Sequence, residues 1–288
     1  MQHRRAAGLS QEELADLAGV SADGVAALER GRRRAPRPLT VRLLADALDL
    51  DEDRRRELVA AARDQTTTNG HHRPPAPTDA LFGRDRELTA AAAALGPGGT
   101  RLLTLAGPGG VGKTRLALAL AQALRDRFAE QYWVPLDALP PGADVTGAVG
   151  AALGVLPAPA PGQWEPVAAR VADRTVLLVL DNCEHVLTSS ARLVTSLLPL
   201  GHGLHVLATS REPLHVAGES VHRIGPLDLP DAGAAPERAR EASAVQLFLA
   251  RSAYPVADER LTDVIRLCRR LDGLALAIEL AAARTNVL

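Results

Sequence analysis

The stretch GPGGVGKT at residues 107–114 is the sequence feature that most constrains the fold. Its four glycines disfavour both a regular helix and a regular strand. The stretch follows the apolar run LLTLA (102–106) and leads into the strongly periodic segment KTRLALALAQALRDRF (113–128). A short buried strand, a glycine turn and a helix in that order form the start of a β-α-β unit. The local pattern therefore predicts an α/β fold built on a parallel sheet.

Further apolar runs extend this sheet. YWVPLD (132–137), TVLLVLD (175–181) and LHVLATS (204–210) each end in a polar residue, as buried parallel strands do where they reach the functional edge of a sheet. A last strand is predicted around ESVHRIG (219–225), and the tail from about Ala242 onward is predicted to be helical throughout. We therefore expect a parallel sheet flanked by helices, followed by a helical C-terminal subdomain.

The glycine turn has the spacing G-x-x-x-x-G-K-T of a Walker A motif, the P-loop of NTPases. Its glycines allow the backbone to wrap around an anion, and the following helix adds the positive end of its dipole. Lys113 is the only lysine among 33 basic residues, and its compact ammonium fits a crevice too narrow for a guanidinium. The predicted cofactors are ATP or ADP with Mg²⁺; an ordinary glycine-rich turn is the alternative. The predicted nucleotide-binding residues of this motif are Gly107, Gly109, Gly110, Gly112, Lys113 and Thr114, with Thr114 also ligating the metal.

Polar residues at the ends of two neighbouring strands complete this site. Asp181 ends TVLLVLD and is predicted to help hold the metal. Hydrolytic P-loop enzymes usually carry a second carboxylate next, but position 182 is Asn. Glu184 is the nearest candidate for that catalytic role, and a solvated loop residue is the alternative. Arg211 follows the next strand, where it either contacts the terminal phosphate or is a plain surface residue.

Five motifs resemble, in order and spacing, those of the STAND or NB-ARC signal-transduction ATPases, in particular bacterial regulators with an ATPase behind a DNA-binding domain. The motifs are FGRDREL (82–88), GPGGVGKT (107–114), LLVLDNCEHV (177–186), ATSREPL (208–214) and GLALAIELAAAR (273–284). The resemblance implies a P-loop NTPase fold and a switch that ADP holds closed and ATP opens, often with self-association. Hydrolysis in such a switch is slow and serves to reset it, so a metabolic enzyme is not expected.

The same resemblance implies roles for individual residues. Arg84 would lie on the adenine side, Lys113 and Thr114 would hold phosphates and metal, Asp181 would complete the metal site, and Arg211 would sense the γ-phosphate. Two departures stand out. Ala275 replaces the family's proline next to the adenine, and the sequence ends at Leu288, where family members continue into a winged-helix domain and a sensor. The expectation is a truncated regulator or a short form controlled by a partner chain.

Residues 1–64 form a string of predicted short helices. Ser10 precedes the first of them with Glu13 three residues on, which is a capping-box pattern. SQEELADLAGVS (10–21) resembles the helix-turn-helix of the Cro/repressor class, with Gly19 in the turn and a recognition helix starting at Ser21. The resemblance predicts an all-α DNA-binding domain.

The predicted DNA contacts fall into two groups, backbone contacts and base readout. Residues 1–64 balance 12 arginines against 12 acidic residues, and Asp23 would face the phosphates unfavourably. A small helical domain that docks protein partners instead of DNA is therefore the alternative. The predicted contact residues are Gln11 for a phosphate, Ser21, Ala22 and Asp23 at base edges, and Arg30, Arg32, Arg33 and Arg34 for the DNA backbone.

The expected domain boundaries are a helix-turn-helix domain at 1–64, a flexible linker at 65–79, a P-loop NTPase core at 80–227 and a helical subdomain at 228–288. The net charge of −1, two cysteines and the absence of a signal or membrane segment predict a cytoplasmic protein. The predicted function is a nucleotide-gated transcription regulator whose partners are DNA and a second copy or regulatory chain. The alternatives are an ATPase that works mechanically on DNA and a non-hydrolytic, nucleotide-dependent interaction module or remnant of a regulator.

Overall fold

The computed structural model describes residues 4, 9–18, 25, 38–48, 73–76, 79–128, 130–155, 159–231, 233–252 and 255–284. The chain divides into two compact units, residues 1–72 and residues 73–288. Each unit is described by itself below.

The first unit contains helices α1 (Gln11–Ala18) and α2 (Pro38–Ala47). The predicted capping box at the start of α1 is confirmed, because the Ser10 N–H donates to the Glu13 carboxylate at 2.7 Å and the Glu13 N–H donates to the Ser10 hydroxyl at 3.1 Å. Leu14, Ala15 and Val25 are buried against part of α2, which gives this unit a small apolar core.

The second unit contains a five-stranded sheet in which every pairing is parallel. The strands lie in the order β2-β3-β4-β1-β5, so β1 and β3 flank β4. This order confirms the predicted fold class. The strands are β1 (Leu102–Ala106), β2 (Glu130–Pro135), β3 (Val176–Asp181), β4 (Leu204–Ser210) and β5 (Glu219–Arg223).

Helices cover both faces of this sheet, as the continuous apolar runs of its strands require. Alternate residues along each strand point to opposite faces, so Leu178 faces one helical layer and Leu177 the other. One layer is formed by α5 (Thr146–Ala152), α6 (Glu165–Val171) and α7 (Leu187–Leu197). The opposite layer is formed by α3 (Asp85–Ala94) and α4 (Lys113–Ala123).

Two element boundaries differ from the prediction. Strand β2 begins and ends two residues earlier than expected, because the polar Gln131 is buried and its side-chain amide donates to the Ala121 carbonyl at 2.8 Å. Helix α4 ends at Ala123 instead of residue 128, because the N–H groups of Arg125 and Arg127 bond to carbonyls three residues back instead of four.

The C-terminal part is helical but not throughout, which corrects the prediction from Ala242 onward. Its helices are α8 (Pro236–Glu241), α9 (Ser243–Arg251), α10 (Leu261–Arg270) and α11 (Ala275–Ala283), with a 3₁₀ turn at Asp258–Arg260. Helix α10 ends at Arg270, and Asp272 and Gly273, with φ values of 49° and 67°, turn the chain toward α11. These helices pack around Phe248, Val264 and Ile278.

Among the residues that the structure describes, no helix is long and apolar enough to cross a membrane.

Candidate functional site

The glycine stretch forms a tight loop between β1 and α4 at the carboxyl edge of the sheet. Gly110 and Gly112 have φ values of 76° and 102°, a region that side chains disfavour. A Cβ at Gly107 would clash with the carbonyl oxygen of Ile224. At these three positions the fold therefore requires glycine, and the loop backbone stays open to an approaching anion.

Lys113 begins α4 and is only 7% exposed. Its Nζ donates to the carbonyl oxygens of Gly107 at 2.9 Å and Pro108 at 3.0 Å, so the ammonium lies against the loop that it follows. Burial lowers the pKa of Lys113, and the negative charges of Glu184 and Asp181 oppose that shift. The ammonium is thus held where a phosphate in the loop would meet it.

Asp181 ends β3 next to the first turn of α4 and is 8% exposed. Its Oδ1 accepts hydrogen bonds from two hydroxyls, Thr114 Oγ1 at 2.8 Å and Thr209 Oγ1 at 2.6 Å. Burial raises the pKa of this carboxyl group, and the two hydroxyls oppose the shift. A hydroxyl and a carboxylate are the oxygen ligands that Mg²⁺ prefers, so Thr114 and Asp181 fit the metal they are predicted to hold.

Thr209 was not among the predicted site residues, although it lies in the motif ATSREPL (208–214). It is the sixth residue of the run LHVLATS (204–210), and its position in that run gave no reason to expect a contact with Asp181. Its hydrogen bond to Asp181 depends on the strand order, in which β4 lies between β1 and β3.

The chain turns sharply after Asp181. Asn182 has φ 70° and ψ 50°, a left-handed conformation that asparagine tolerates better than most side chains. A 3₁₀ turn at Cys183–His185 follows and contains Glu184. This turn brings Glu184 close enough to Lys113 to influence its charge. Glu184 is therefore a carboxylate near the loop, as its predicted catalytic role requires, and that role stays a prediction.

Arg211 lies near both the glycine loop and Glu184. Its Nε is 3.3 Å from Glu184 Oε1, and its side chain is 68% exposed. A Cβ placed on Gly109 would lie 3.8 Å from the guanidinium, so this arginine reaches over the glycine loop. Glu184 Oε2 is buried with no hydrogen-bond partner among the described residues. The pair therefore leaves one carboxylate oxygen unsatisfied beside the loop.

Arg84 contacts the loop at Val111 and is only 5% exposed. Its guanidinium donates to the Gly225 carbonyl at 2.6 Å, the Val111 carbonyl at 3.3 Å and the Glu87 carboxylate at 2.7 Å. Arg84 thus ties α3 to the loop and to the end of β5. A cleft of about 550 Å³ adjoins it, lined in part by Gly83 and Pro226.

The start of α11 also contacts the loop. The Leu276 N–H donates to the Gly110 carbonyl at 2.9 Å, although the residue before it is Ala275 and not proline. Leu276 itself is 52% exposed. Arg115, which follows the loop, pairs with Glu279 of the same helix. The helical subdomain is therefore fastened to the loop by a backbone bond and an ion pair.

The predicted DNA-contacting residues are described only in part. Gln11 is the first residue of α1 and is partly exposed. The other predicted contacts, Ser21, Ala22, Asp23, Arg30, Arg32, Arg33 and Arg34, lie outside the described residues.

Comparison with protein families matches two segments of the chain. A helix-turn-helix domain family matches residues 2–58, and an AAA ATPase domain family matches residues 80–164. The chain is also 39% identical over 193 residues to the Mycobacterium tuberculosis protein named "Putative HTH-type transcriptional regulator Rv0890c". A second M. tuberculosis relative, "Uncharacterized protein Rv0894", is 37% identical over 194 residues.

Both alignments cover 65% of this chain. The chain spans 20% of the length of the first relative and 47% of the second.

Comparison with solved structures gives two partial matches. A signal transduction ATPase with numerous domains (STAND) and a tetratricopeptide repeat sensor, from Pyrococcus horikoshii, is 16% identical with a TM-score of 0.48, over 74% of this chain and 31% of that chain. Cdc6p from Pyrobaculum aerophilum is 16% identical with a TM-score of 0.40, over 78% of this chain and 66% of that chain.

The two domain matches agree with the two units of the structure, one that contains a capped helix and an α/β one built on a parallel sheet. The glycine loop with its buried lysine lies within the second match. Residues 2–58 are therefore similar to helix-turn-helix domains, and residues 80–164, which contain the glycine loop, are similar to AAA ATPase domains.

Proposed function

We propose that the chain is a nucleotide-gated transcription regulator of the STAND type, which binds ATP or ADP with Mg²⁺ at its P-loop and DNA through its helix-turn-helix. The proposal that the chain binds a nucleotide rests on one observation. Three side chains, those of Lys113, Asp181 and Arg211, lie at the same glycine loop. The match to a helix-turn-helix family supports the DNA half. Such a regulator acts where the DNA is, in the bacterial cytoplasm.

Within the nucleotide site, each group has a proposed task. Backbone N–H groups of the loop and the Lys113 ammonium bind the β- and γ-phosphates. Bound Mg²⁺ would neutralise phosphate charge, and the Thr114 hydroxyl with the Asp181 carboxylate would hold it. The cleft beside Arg84 is the proposed adenine side. The buried guanidinium of Arg84 supports this side by fixing the loop, since its donors already bond protein acceptors.

Gating is proposed to depend on Arg211. ATP differs from ADP by the γ-phosphate, so a switch needs a group that the γ-phosphate alone engages. Arg211 suits this task because its side chain is mostly exposed and its ion pair with Glu184 is long. Contact with the γ-phosphate would release Glu184 to orient a water molecule, which gives a slow hydrolysis step that resets the switch.

Nucleotide binding is proposed to change DNA affinity through self-association. A single helix-turn-helix domain binds one half-site, and pairing two domains raises affinity through effective concentration. ATP would thus favour DNA binding by favouring the paired form, or a partner chain would supply the second contact.

The test combines nucleotide and DNA binding in the whole chain. Duplexes selected from a random pool are titrated with the protein in the presence of ADP, a non-hydrolysable ATP analogue or no nucleotide, and light scattering records the molecular mass. We expect the ATP analogue to raise both the mass and the DNA affinity. Equal affinity in all three conditions would refute nucleotide gating.

One observation favours a second function. Residues 1–64 carry as many acidic residues as arginines, so no net positive charge supports DNA binding. A nucleotide-dependent module that docks a protein partner would fit this balance. Nucleotide binding without enrichment of any duplex would favour that function.

A further inference from the structure

Thr209 occupies a position between the proposed metal site and the proposed catalytic turn. It lies in β4 and is completely buried. Its hydroxyl donates to Asp181 Oδ1 at 2.6 Å and accepts from the Asn182 N–H at 2.9 Å. One side chain therefore holds two consecutive residues of the neighbouring strand end.

The first of these bonds concerns the carboxylate. Asp181 Oδ1 is shared by Thr114 and Thr209, whereas Thr114 is also the proposed metal ligand. A hydroxyl that ligates a cation orients its oxygen toward that cation, so the Thr114 bond depends on what the site contains. The Thr209 bond comes from β4, the strand next to β3 in the sheet, and not from the glycine loop. Thr209 is therefore the partner that keeps the carboxylate oriented whether the site is filled or empty.

The second bond concerns the turn. Asn182 is in the left-handed conformation, which is costly for a residue with a side chain. Its N–H is held by Thr209, and two residues later the turn carries Glu184. The same hydroxyl thus stabilises the backbone that delivers Glu184 to the loop.

We propose that Thr209 is a positioning residue that sets the Mg²⁺ dependence of nucleotide binding by orienting Asp181, and that it places Glu184 through Asn182. This inference rests on the proposed nucleotide function. Thr209 touches neither nucleotide nor metal in this assignment, so its effect is expected only where Asp181 and Glu184 matter.

A matched control is available in the adjacent strand. Thr104 of β1 is also completely buried, and its hydroxyl has no hydrogen-bond partner among the described residues. Strand β1 pairs with β4, and Thr104 lies opposite Ala208, the residue before Thr209. Replacing each threonine by valine removes the same atom at the same depth, but only Thr209→Val removes hydrogen bonds.

The experiment measures nucleotide affinity by calorimetry, with Mg²⁺ and with EDTA. Thr209→Val is expected to weaken Mg²⁺-dependent binding about tenfold, because a hydrogen bond to a charged group is lost, and to leave binding in EDTA within about twofold of wild type. Thr209→Ser restores the hydroxyl and is expected to recover most of the affinity. Thr104→Val is expected to behave as wild type in both conditions.

Three outcomes would overturn the inference: an unchanged Mg²⁺ dependence in Thr209→Val, an equal loss in EDTA, or an equal loss in Thr104→Val. If Thr209→Val does not fold, Thr209→Cys, which is nearly isosteric and only a weak donor, takes its place under the same criteria. Failure of the proposed function itself is recognised separately, since the wild-type chain would then bind no nucleotide in either condition.

Discussion

The two halves of the candidate site differ in how far the protein itself satisfies their charges. On the loop side, Lys113 and Asp181 are 7% and 8% exposed, and each makes two hydrogen bonds within the fold. On the side where β3 and β4 end, the tip side, Arg211 is 68% exposed and pairs with Glu184 at 3.3 Å. The loop side is rigid and prepared for an anion, whereas the tip side is free to exchange partners.

This difference separates binding from response. A buried ammonium against two carbonyls offers the same geometry to ADP and ATP, since both carry the β-phosphate. An exposed guanidinium can leave its carboxylate when a stronger anion is near. The following variants test whether the two halves are separable in this way.

The largest effect is expected on the loop side. Lys113→Ala removes the buried ammonium and is expected to weaken ATP and ADP binding alike, by roughly a thousandfold, because two charge-assisted contacts are lost. Isothermal titration of both nucleotides checks this. Arg125→Ala, which removes an exposed positive charge just beyond α4, is the control and is expected to bind as wild type. Undiminished binding by Lys113→Ala would show that the loop is not the phosphate site.

Glu184→Gln tests whether the carboxylate on the tip side takes part in hydrolysis. It keeps the size of the side chain and removes its charge, so hydrolysis is expected to fall by about a hundredfold while ATP remains bound. Single-turnover measurements with labelled ATP give the rate. Glu212→Gln, which follows Arg211 after β4 and is exposed, serves as the matched control. A hydrolysis rate equal to that of wild type would mean that Glu184 is a structural partner of Arg211 only.

Arg211→Ala is expected to have a smaller and selective effect. ATP affinity should fall by about tenfold, while ADP affinity changes little, because one charged contact to the γ-phosphate is lost. Competition titrations of ATP against ADP measure the ratio. Equal weakening for both nucleotides would place Arg211 with the binding half and remove the distinction between the halves.

The smallest effect concerns stability without nucleotide. Burial raises the folded-state pKa of Asp181, so this group contributes stability below its unfolded pKa and loses that contribution as pH rises through the folded pKa. At neutral pH the carboxylate is therefore destabilising. Asp181→Asn is expected to raise the melting temperature there by at most roughly 4 °C, with no gain at the acidic end of the profile. Melting curves across pH check this, and a lower melting temperature at neutral pH would contradict it.

Much of the architecture could be predicted from local patterns. The bounds of β1 and β4 match the predicted runs, because apolar residues ending at a polar residue mark a buried strand directly. The capping box at Ser10 and Glu13 was also predictable, since its bonds connect neighbours in sequence. The early start of β2 was not, because it depends on a side-chain bond from Gln131 to a helix ten residues away.

The residues of the candidate site also divide into those that a local sequence pattern predicts and those that depend on contacts distant in sequence. The loop, Lys113, Thr114 and Asp181 were identified by spacing, since the phosphate-binding motif is contiguous and a metal-binding carboxylate ends a strand. For Glu184 the sequence allowed two interpretations, because its location depends on the backbone conformation of Asn182. Arg84 was expected beside the base, and its bonds to Val111 and Gly225 became visible only in the fold.

The sequence by itself determined that this chain carries a phosphate loop between a strand and a helix, because glycine conformations and apolar periodicity are local properties. Only the tertiary structure decided which side chains meet there. Strand β4 lies between β1 and β3, and this order brings Thr209 to Asp181 and Arg211 to Glu184. Contacts between strands distant in sequence arise from the packing of the whole sheet, and no local pattern encodes them.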